Sequence, residues 1–296
     1  MTITSSSPST LQSPAIGKGI LWILLAMFLF ASMDAGVKHL VKSYSAVQVV
    51  WGRFFFHLLL LLVVFARRIL SLVRTSNPGL QLLRSVLMVG TTSLFFTGLF
   101  YVPLADAASM MLVSPLIVTA LSMPILKEPV GVRRWAGVLI GFTGAIIIIR
   151  PTGDLQLATL FPLFAAGSYA IYQISTRFLS RADPVETTLF YTALIGALFT
   201  SIAVPFVWIN PTPIDWLIMV FSGLCGGLGH FALIRALVVA PAAAVVPFSY
   251  TAIIWATAYG VFLFGNFPDR WTVLGATIIV ASGLYVFFRE QKKRYI

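Results

Sequence analysis

The sequence predicts an all-α membrane protein of ten transmembrane helices, arranged as two inverted five-helix repeats. Three observations carry this. Hydrophobic residues make up 59% of the 296-residue chain and charged residues only 10%, a composition far from that of a soluble domain. The apolar residues fall in runs of about 17–25, the length that carries a helix across a hydrocarbon core of ~30 Å. Finally, Gly98, Leu99, Pro103, Ala105 and Gly137 return about 138 positions later as Ala236, Leu237, Pro241, Ala243 and Gly275. A repeat with an odd number of crossings begins its second copy on the other side of the bilayer, so the halves are inverted.

The first 17 residues are rich in Ser, Thr and Pro and carry no charge, so a cytoplasmic tail without fold is expected over 1–17. It lacks the basic region and cleavage site of a signal peptide, and the first span is read as uncleaved. The first repeat, 18–150, holds spans near 18–37, 46–66, 80–101, 104–126 and 134–150. The second, 151–289, holds spans near 157–179, 186–209, 214–238, 241–265 and 271–288, and 290–296 is a basic cytoplasmic tail. Connections such as Asn77-Pro78-Gly79, Pro151-Thr152-Gly153-Asp154 and Asn210-Pro211-Thr212-Pro213 are built of turn formers and leave no room for a soluble domain. Long continuous runs without alternation also speak against an outer-membrane barrel.

The formal net charge of +11 invites a nucleic-acid reading. The bases are instead spread over short loops. With the amino terminus in the cytoplasm, Lys18, Arg67, Arg68, Arg74, Arg84, Lys127, Arg133, Arg134, Arg177, Arg181, Arg235 and the carboxy-terminal bases lie inside, against Lys38, Lys42, Arg150 and Arg270 outside. That asymmetry is the positive-inside pattern, with both termini cytoplasmic. Nucleic acid is not needed to explain the charge. The lone Cys225 excludes an intramolecular disulfide and a cysteine metal cluster, and its Gly-rich run, 223–227, fits close helix packing.

No P-loop, zinc-protease helix or nucleophile elbow occurs, so neither ATP-driven pumping nor hydrolysis has a basis in the sequence, and no cofactor or metal is expected. An enzyme acting on lipid-linked substrates would need a cluster of catalytic groups at one interface, where the loops supply isolated bases. What remains is polar residues inside apolar helices, each costly unless paired or wet. Asp34 and Lys38 are one turn apart, a spacing that suits an ion pair. A register of about 139 sets Gln173 opposite Asp34 and Arg177 opposite Lys38. Asp34 and Gln173 either face a cavity between the repeats and bind substrate or a proton, or tether the helix end. Arg53, one turn from His57, is read as structural, satisfied by carbonyls or a carboxylate. His230 is either a coupling site or a hydrogen-bonded core residue. Asp106 reads as a helix cap, and Glu128 as a tether or gate that pairs with Arg133 or Arg134. Pro115 and Pro247 each remove a helix hydrogen bond and kink their spans. Among the aromatics, Phe95, Tyr169, Tyr172 and Tyr250 are the candidates to touch substrate, the tyrosines because a mid-span hydroxyl needs a partner.

Asp34-Ala35-Gly36-Val37-Lys38, Arg53 in an aromatic-rich second helix, Pro103-Leu104-Ala105-Asp106-Ala107, Lys127-Glu128-Pro129, Pro247-Phe248-Ser249-Tyr250 and Phe264-Gly265-Asn266-Phe267-Pro268-Asp269 together resemble the EamA-type branch of the drug/metabolite transporter superfamily. The chain departs from it at Asn266, where that family commonly has Glu. The resemblance implies two inverted five-helix bundles around a central cavity, alternating access by secondary transport and a homodimer through outer helices. It also implies a small-molecule substrate and membrane lipids as partners. The expected activity is movement of an amino-acid-like or related zwitterionic metabolite across the cytoplasmic membrane, export favoured by family frequency, with uptake of a flat vitamin such as riboflavin as the alternative.

Overall fold

The computed structural model describes residues 13–126, 132–149, 158, 160–179, 182–240 and 242–294. Within them lie α1 (Ser13–Leu40), α2 (Ala46–Val64), α3 (Ile69–Leu72), α4 (Pro78–Tyr101), α5 (Leu104–Met111), α6 (Ser114–Leu126) and α7 (Val132–Ile149). The second half follows with α8 (Leu160–Leu179), α9 (Val185–Ala203), α10 (Pro213–Val239), α11 (Ala242–Val245), α12 (Ala252–Phe264) and α13 (Arg270–Arg294). Among the described residues there is no strand. α1 begins at Ser13, inside the expected amino-terminal tail, and α13 runs on to Arg294, inside the expected carboxy-terminal one.

Local chemistry sets the helix starts. Ser45 and Thr212 cap α2 and α10 by accepting the backbone N–H groups of Gln48 and Asp215. Asn77 does the same for Leu80, and Pro78 and Pro213 occupy first turns whose N–H would be orphaned anyway. α12 stops at Gly265, whose φ of 66° places it in the left-handed region.

Among the described residues, eight helices are long and apolar enough to cross a membrane. Two of the ten expected spans fall short of that measure. In α7 only Trp135–Ile149 is apolar, and α8 mixes Ser168, Gln173, Ser175, Thr176 and Arg177 into its 20 residues. The polarity of α8 has partners: Ser168 donates to the Leu87 carbonyl at 2.9 Å, and Gln173 Nε2 donates to Ser114 Oγ at 2.9 Å. Two expected spans are broken. The run 104–126 divides into α5 and α6 just before Pro115, and 241–265 becomes α11, a 3₁₀ stretch over Val246–Thr251 containing Pro247, and α12. Proline has no N–H to give the carbonyl four residues back and its ring crowds that carbonyl, which for Pro115 belongs to Met111, the last residue of α5.

The packing has a two-fold pattern. α1 lies along α10 as α8 lies along α4, and α2 meets α10 as α9 meets α4. α7 pairs with α13, and α2 with α9. The α7–α13 crossing is tight because both sides are glycine: a Cβ on Gly144 would stand 2.7 Å from the Gly275 carbonyl oxygen, and one on Gly275 2.5 Å from that of Gly144.

Polar clamps join connections at both ends. At one end Asp215 accepts hydrogen bonds from Tyr44 Oη at 2.7 Å and Thr212 Oγ1 at 2.6 Å, with His39 Nε2 at 3.2 Å, and Gln48 exchanges two hydrogen bonds with the Ile209 backbone. Trp51, Trp208 and Trp216 cluster beside it, as aromatics do at a membrane interface. At the other end Asp183 accepts from Thr75 Oγ1, from Ser76 N and Oγ at 2.9 and 2.6 Å, and from Gln81 Nε2 at 2.8 Å. Burial pushes the Asp183 pKa up, and the hydrogen bonds from Ser76, Thr75 and Gln81 outweigh it and bring it down to about 2.

A depressed carboxylate stabilises the fold above its ordinary titration and loses that contribution as pH falls through the folded value. Asp183→Asn is therefore expected to lower stability at pH 7 by at least about 2 kcal/mol, since an amide cannot accept all four hydrogen bonds. Between about pH 4 and pH 2 the gap between variant and wild type should close, as read from thermal unfolding in detergent.

Candidate functional site

One cavity of about 490 Å³ occupies the middle of the bundle, within the size range of small-molecule sites. Its walls come from α1 (Met27, Met33, Asp34), α2 (Arg53), α4 (Thr92, Phe95), α6 (Ser114, Pro115), α8 (Tyr169, Gln173), α10 (His230), the 3₁₀ stretch (Pro247, Tyr250) and α13 (Gly283). The lining runs from the level of Asp34 toward the Asp183 end. Toward the Asp215 end the bundle is filled: Val37, Leu40, Val41, Leu99, Val102 and Leu104 are no more than 4% exposed.

The two helix breaks build the site. Ending α5 at Met111 and restarting at Ser114 turns Ser114 and Pro115 to the cavity, where the Ser114 hydroxyl meets Gln173. On the opposite wall Pro247 and Tyr250 come from the 3₁₀ stretch, and the Tyr250 ring passes so close over Gly283 that no Cβ would fit there.

Opposite charges enter the same space. Asp34 Oδ1 is buried with no hydrogen-bond partner among the described residues, and so is Arg53 Nε. Arg53 is 4% exposed, donates to Thr92 Oγ1, and lies 3.5 Å from His230 Nε2. The expected carbonyls or carboxylate around Arg53 are not what it meets: a hydroxyl and an imidazole take their place. No ion pair joins Asp34 to Lys38 either. The buried Lys38 ammonium turns to the carbonyl oxygens of Leu99 and, at 2.8 Å, Val102. These carbonyls lie where α4 ends, so the lysine bridges α1 to the close of α4 and helps seal the Asp215 end. His57, 2% exposed, packs against Gly227 of α10 and stacks over His230 with centroids 6.4 Å apart.

Of the residues singled out in the sequence, Asp34, Arg53, Phe95, Pro115, Tyr169, Gln173, His230, Pro247 and Tyr250 meet at the cavity. Tyr172 does not line it. Its hydroxyl accepts from Arg84 Nη2 at 2.5 Å, and the guanidinium also covers its ring, so the mid-span partner it needed is a structural arginine. Arg177 is exposed in the last turn of α8. Asp106 lies in the first turn of α5 and accepts from Thr272 Oγ1 at 2.9 Å, which links α5 to α13 where a cap was expected. Glu128 lies outside the described residues. Sequence reasoning passed over Arg84 as one loop base among many. Its signal was its place seven residues into α4, too deep for a loop. The methionines of the wall, Met27, Met33, Met88 and Met111, gave no signal, because an apolar residue's direction is set by packing.

Comparison with known proteins places this geometry. The EamA-like transporter family matches residues 17–150 and again 156–288. The S-adenosylmethionine uptake transporter of Rickettsia prowazekii is 28% identical over 275 residues, covering 93% of this chain and 94% of that protein. The riboflavin transporter of Vibrio cholerae is 30% identical over 282 residues, covering 93% and 95%. A crystal structure with 18% sequence identity aligns over 92% of this chain and 96% of its own with a TM-score of 0.63, a likeness of fold.

The asymmetry of the cavity gives a direct test in a Cys225→Ser background. A cysteine introduced by Ser249→Cys, in the wall, should react with a small water-soluble maleimide in the folded protein, whereas Leu99→Cys, behind Lys38, should stay unlabelled until denaturation.

Proposed function

Because the chain belongs to the EamA-like transporter family, a family of membrane transporters, we propose that it is a secondary carrier for a small zwitterionic metabolite, with S-adenosylmethionine the leading substrate. The observation that carries this reading is the cavity itself: unjoined opposite charges, Asp34 and Arg53, among aromatic and methionine walls. An ammonium and a carboxylate suit the charges, while a purine suits Phe95 and Tyr169. The sulfonium charge finds ring faces and polarizable methionine sulfur. The relative named for S-adenosylmethionine uptake supports this substrate. It also turns the direction from the export expected on family frequency toward import.

The mechanism is alternating access between ten crossing helices in two inverted repeats. Family matches to both halves and the exchanged helix contacts support the repeat, and the odd crossing number of each half supplies the inversion. The Asp183 end, with Arg67, Arg68 and Arg74 in its connection, faces the cytoplasm by the positive-inside pattern, so both termini do too and the cavity is open inward. Lys38 holds the outer side shut. Opening outward requires the Lys38 contacts to Leu99 and Val102 to break while the helix breaks at Pro115 and Pro247 absorb the bend. A second copy joins through outer helices, whose apolar residues such as Phe262 and Val63 are exposed on the single chain.

Riboflavin is the second reading, favoured by the 30% identical relative and by ring-lined walls that suit a flat isoalloxazine. The charges separate the two, since a neutral flavin offers Asp34 only N–H and O–H donors and brings no carboxylate to Arg53. In proteoliposomes, uptake of labelled S-adenosylmethionine exceeding that of riboflavin is expected, and fast riboflavin entry without S-adenosylmethionine movement would overturn the first reading. Asp34→Asn should cut flux at least about tenfold, the worth of one hydrogen bond to a charged group, with membrane insertion unchanged. Unaltered flux would remove Asp34 from the site.

A further inference from the structure

Among the described residues two arginines are buried, and they differ in how they are satisfied. Arg84, 2% exposed, has an acceptor at each of its three nitrogens: Thr176 Oγ1 at 2.6 Å from Nε, the Thr188 carbonyl and Thr192 Oγ1 at 3.0 and 2.7 Å from Nη1, and Tyr172 Oη at 2.5 Å from Nη2. That is a structural arginine: four of its five N–H groups have an acceptor within the fold. Arg53 is different. Its Nε has no partner, its Nη2 reaches only His230 at the limit of hydrogen bonding, and among the described residues no carboxylate lies within 4.0 Å of it. Phe54 and Phe96 stand 4.9 and 5.8 Å from its guanidinium carbon, which holds the plane but offers no acceptor.

A guanidinium is a planar fork with five N–H donors, matched in geometry to a carboxylate. Leaving such a group under-satisfied in an apolar interior is costly, and an incoming anion recovers that cost. Asp34, in the same cavity lining, has the converse deficit, with an oxygen to which nothing among the described residues donates. No ion pair within 4.0 Å joins the two among the described residues, and both line the cavity, so the site suits a molecule carrying both signs.

We propose that Arg53 is the carboxylate receptor of this cavity, and that Arg53 and Asp34 together grip the head of an α-amino acid, carboxylate on the guanidinium and ammonium on the aspartate. This rests on the carrier reading above and deepens it, because it assigns specificity to the amino-acid head and not to the ring or the sulfonium. Thr92 and His230 then serve to aim the fork.

The test compares competitors for uptake of labelled S-adenosylmethionine by the wild-type protein in proteoliposomes. S-adenosylhomocysteine keeps the amino-acid head and lacks the sulfonium charge, while decarboxylated S-adenosylmethionine keeps the charge and lacks the carboxylate. S-adenosylhomocysteine should compete comparably to the substrate, and the decarboxylated compound at least about tenfold more weakly, the loss of a charge-assisted hydrogen bond. Arg53→Lys, which keeps charge but not the fork, should narrow that gap, and Arg53→Gln should abolish it. Equal competition by the decarboxylated compound at the wild-type protein overturns the role of Arg53 and leaves the carrier reading standing. No uptake of S-adenosylmethionine at all overturns both. The comparison at the wild-type protein decides the matter even if the Arg53 variants fail to fold.

Discussion

An apolar helix bundle has no water to spare for its polar groups, and the satisfaction of each buried charge from within the chain is the constraint around which this structure is arranged. Arg84 draws α8 and α9 against α4 because their threonines and Tyr172 are its acceptors. Lys38 ties α1 to the end of α4 because carbonyls left over at a helix end are there to receive it. Asp183 and Asp215 fasten connections at opposite ends for the same reason, Asp183 collecting Thr75 and Ser76 and Asp215 collecting Tyr44 from segments distant in sequence. Asp34 and Arg53 are the pair for which the arrangement is left incomplete, and they stand at the cavity.

The same logic separates holding from working groups in a fold of repeated parts. Thr192, the repeat counterpart of Arg53 in a register of about 139, is an acceptor for Arg84. One half thus places a donor where the other places an acceptor, and the two-fold packing of helices coexists with an asymmetric distribution of charge. The matched halves thus share a packing pattern without sharing their buried polar groups.

Closure at one end is built from packing and not from charge alone. On the filled Asp215 side Gly36 lets α1 approach α10 closely, against Ser222 and Ile218. The wall toward the Asp183 end consists instead of segments interrupted by proline, α6 after its break and the 3₁₀ stretch before α12. Interrupted helices have fewer backbone hydrogen bonds to lose on bending, so the more deformable side of the cavity is the side with the breaks.

The all-helical membrane class, most helix starts, the two matched halves and the break-prone prolines were legible in the sequence, because hydrophobic length, periodicity and the missing proline N–H act locally. The polar residues of the cavity were legible as a set for a related reason: an ionisable group in an apolar run is visible against its background. Their partners were not. Asp34 and Lys38 share a helix face by spacing, yet the lysine is spent on carbonyls some 61 to 64 positions further on, and Tyr172 is claimed by an arginine 88 positions before it. Which direction a side chain turns, and whether the charge it meets belongs to the fold or is left for a ligand, depends on helices brought together from distant sequence. Only the packed bundle decided that Arg84 is closed and Arg53 open.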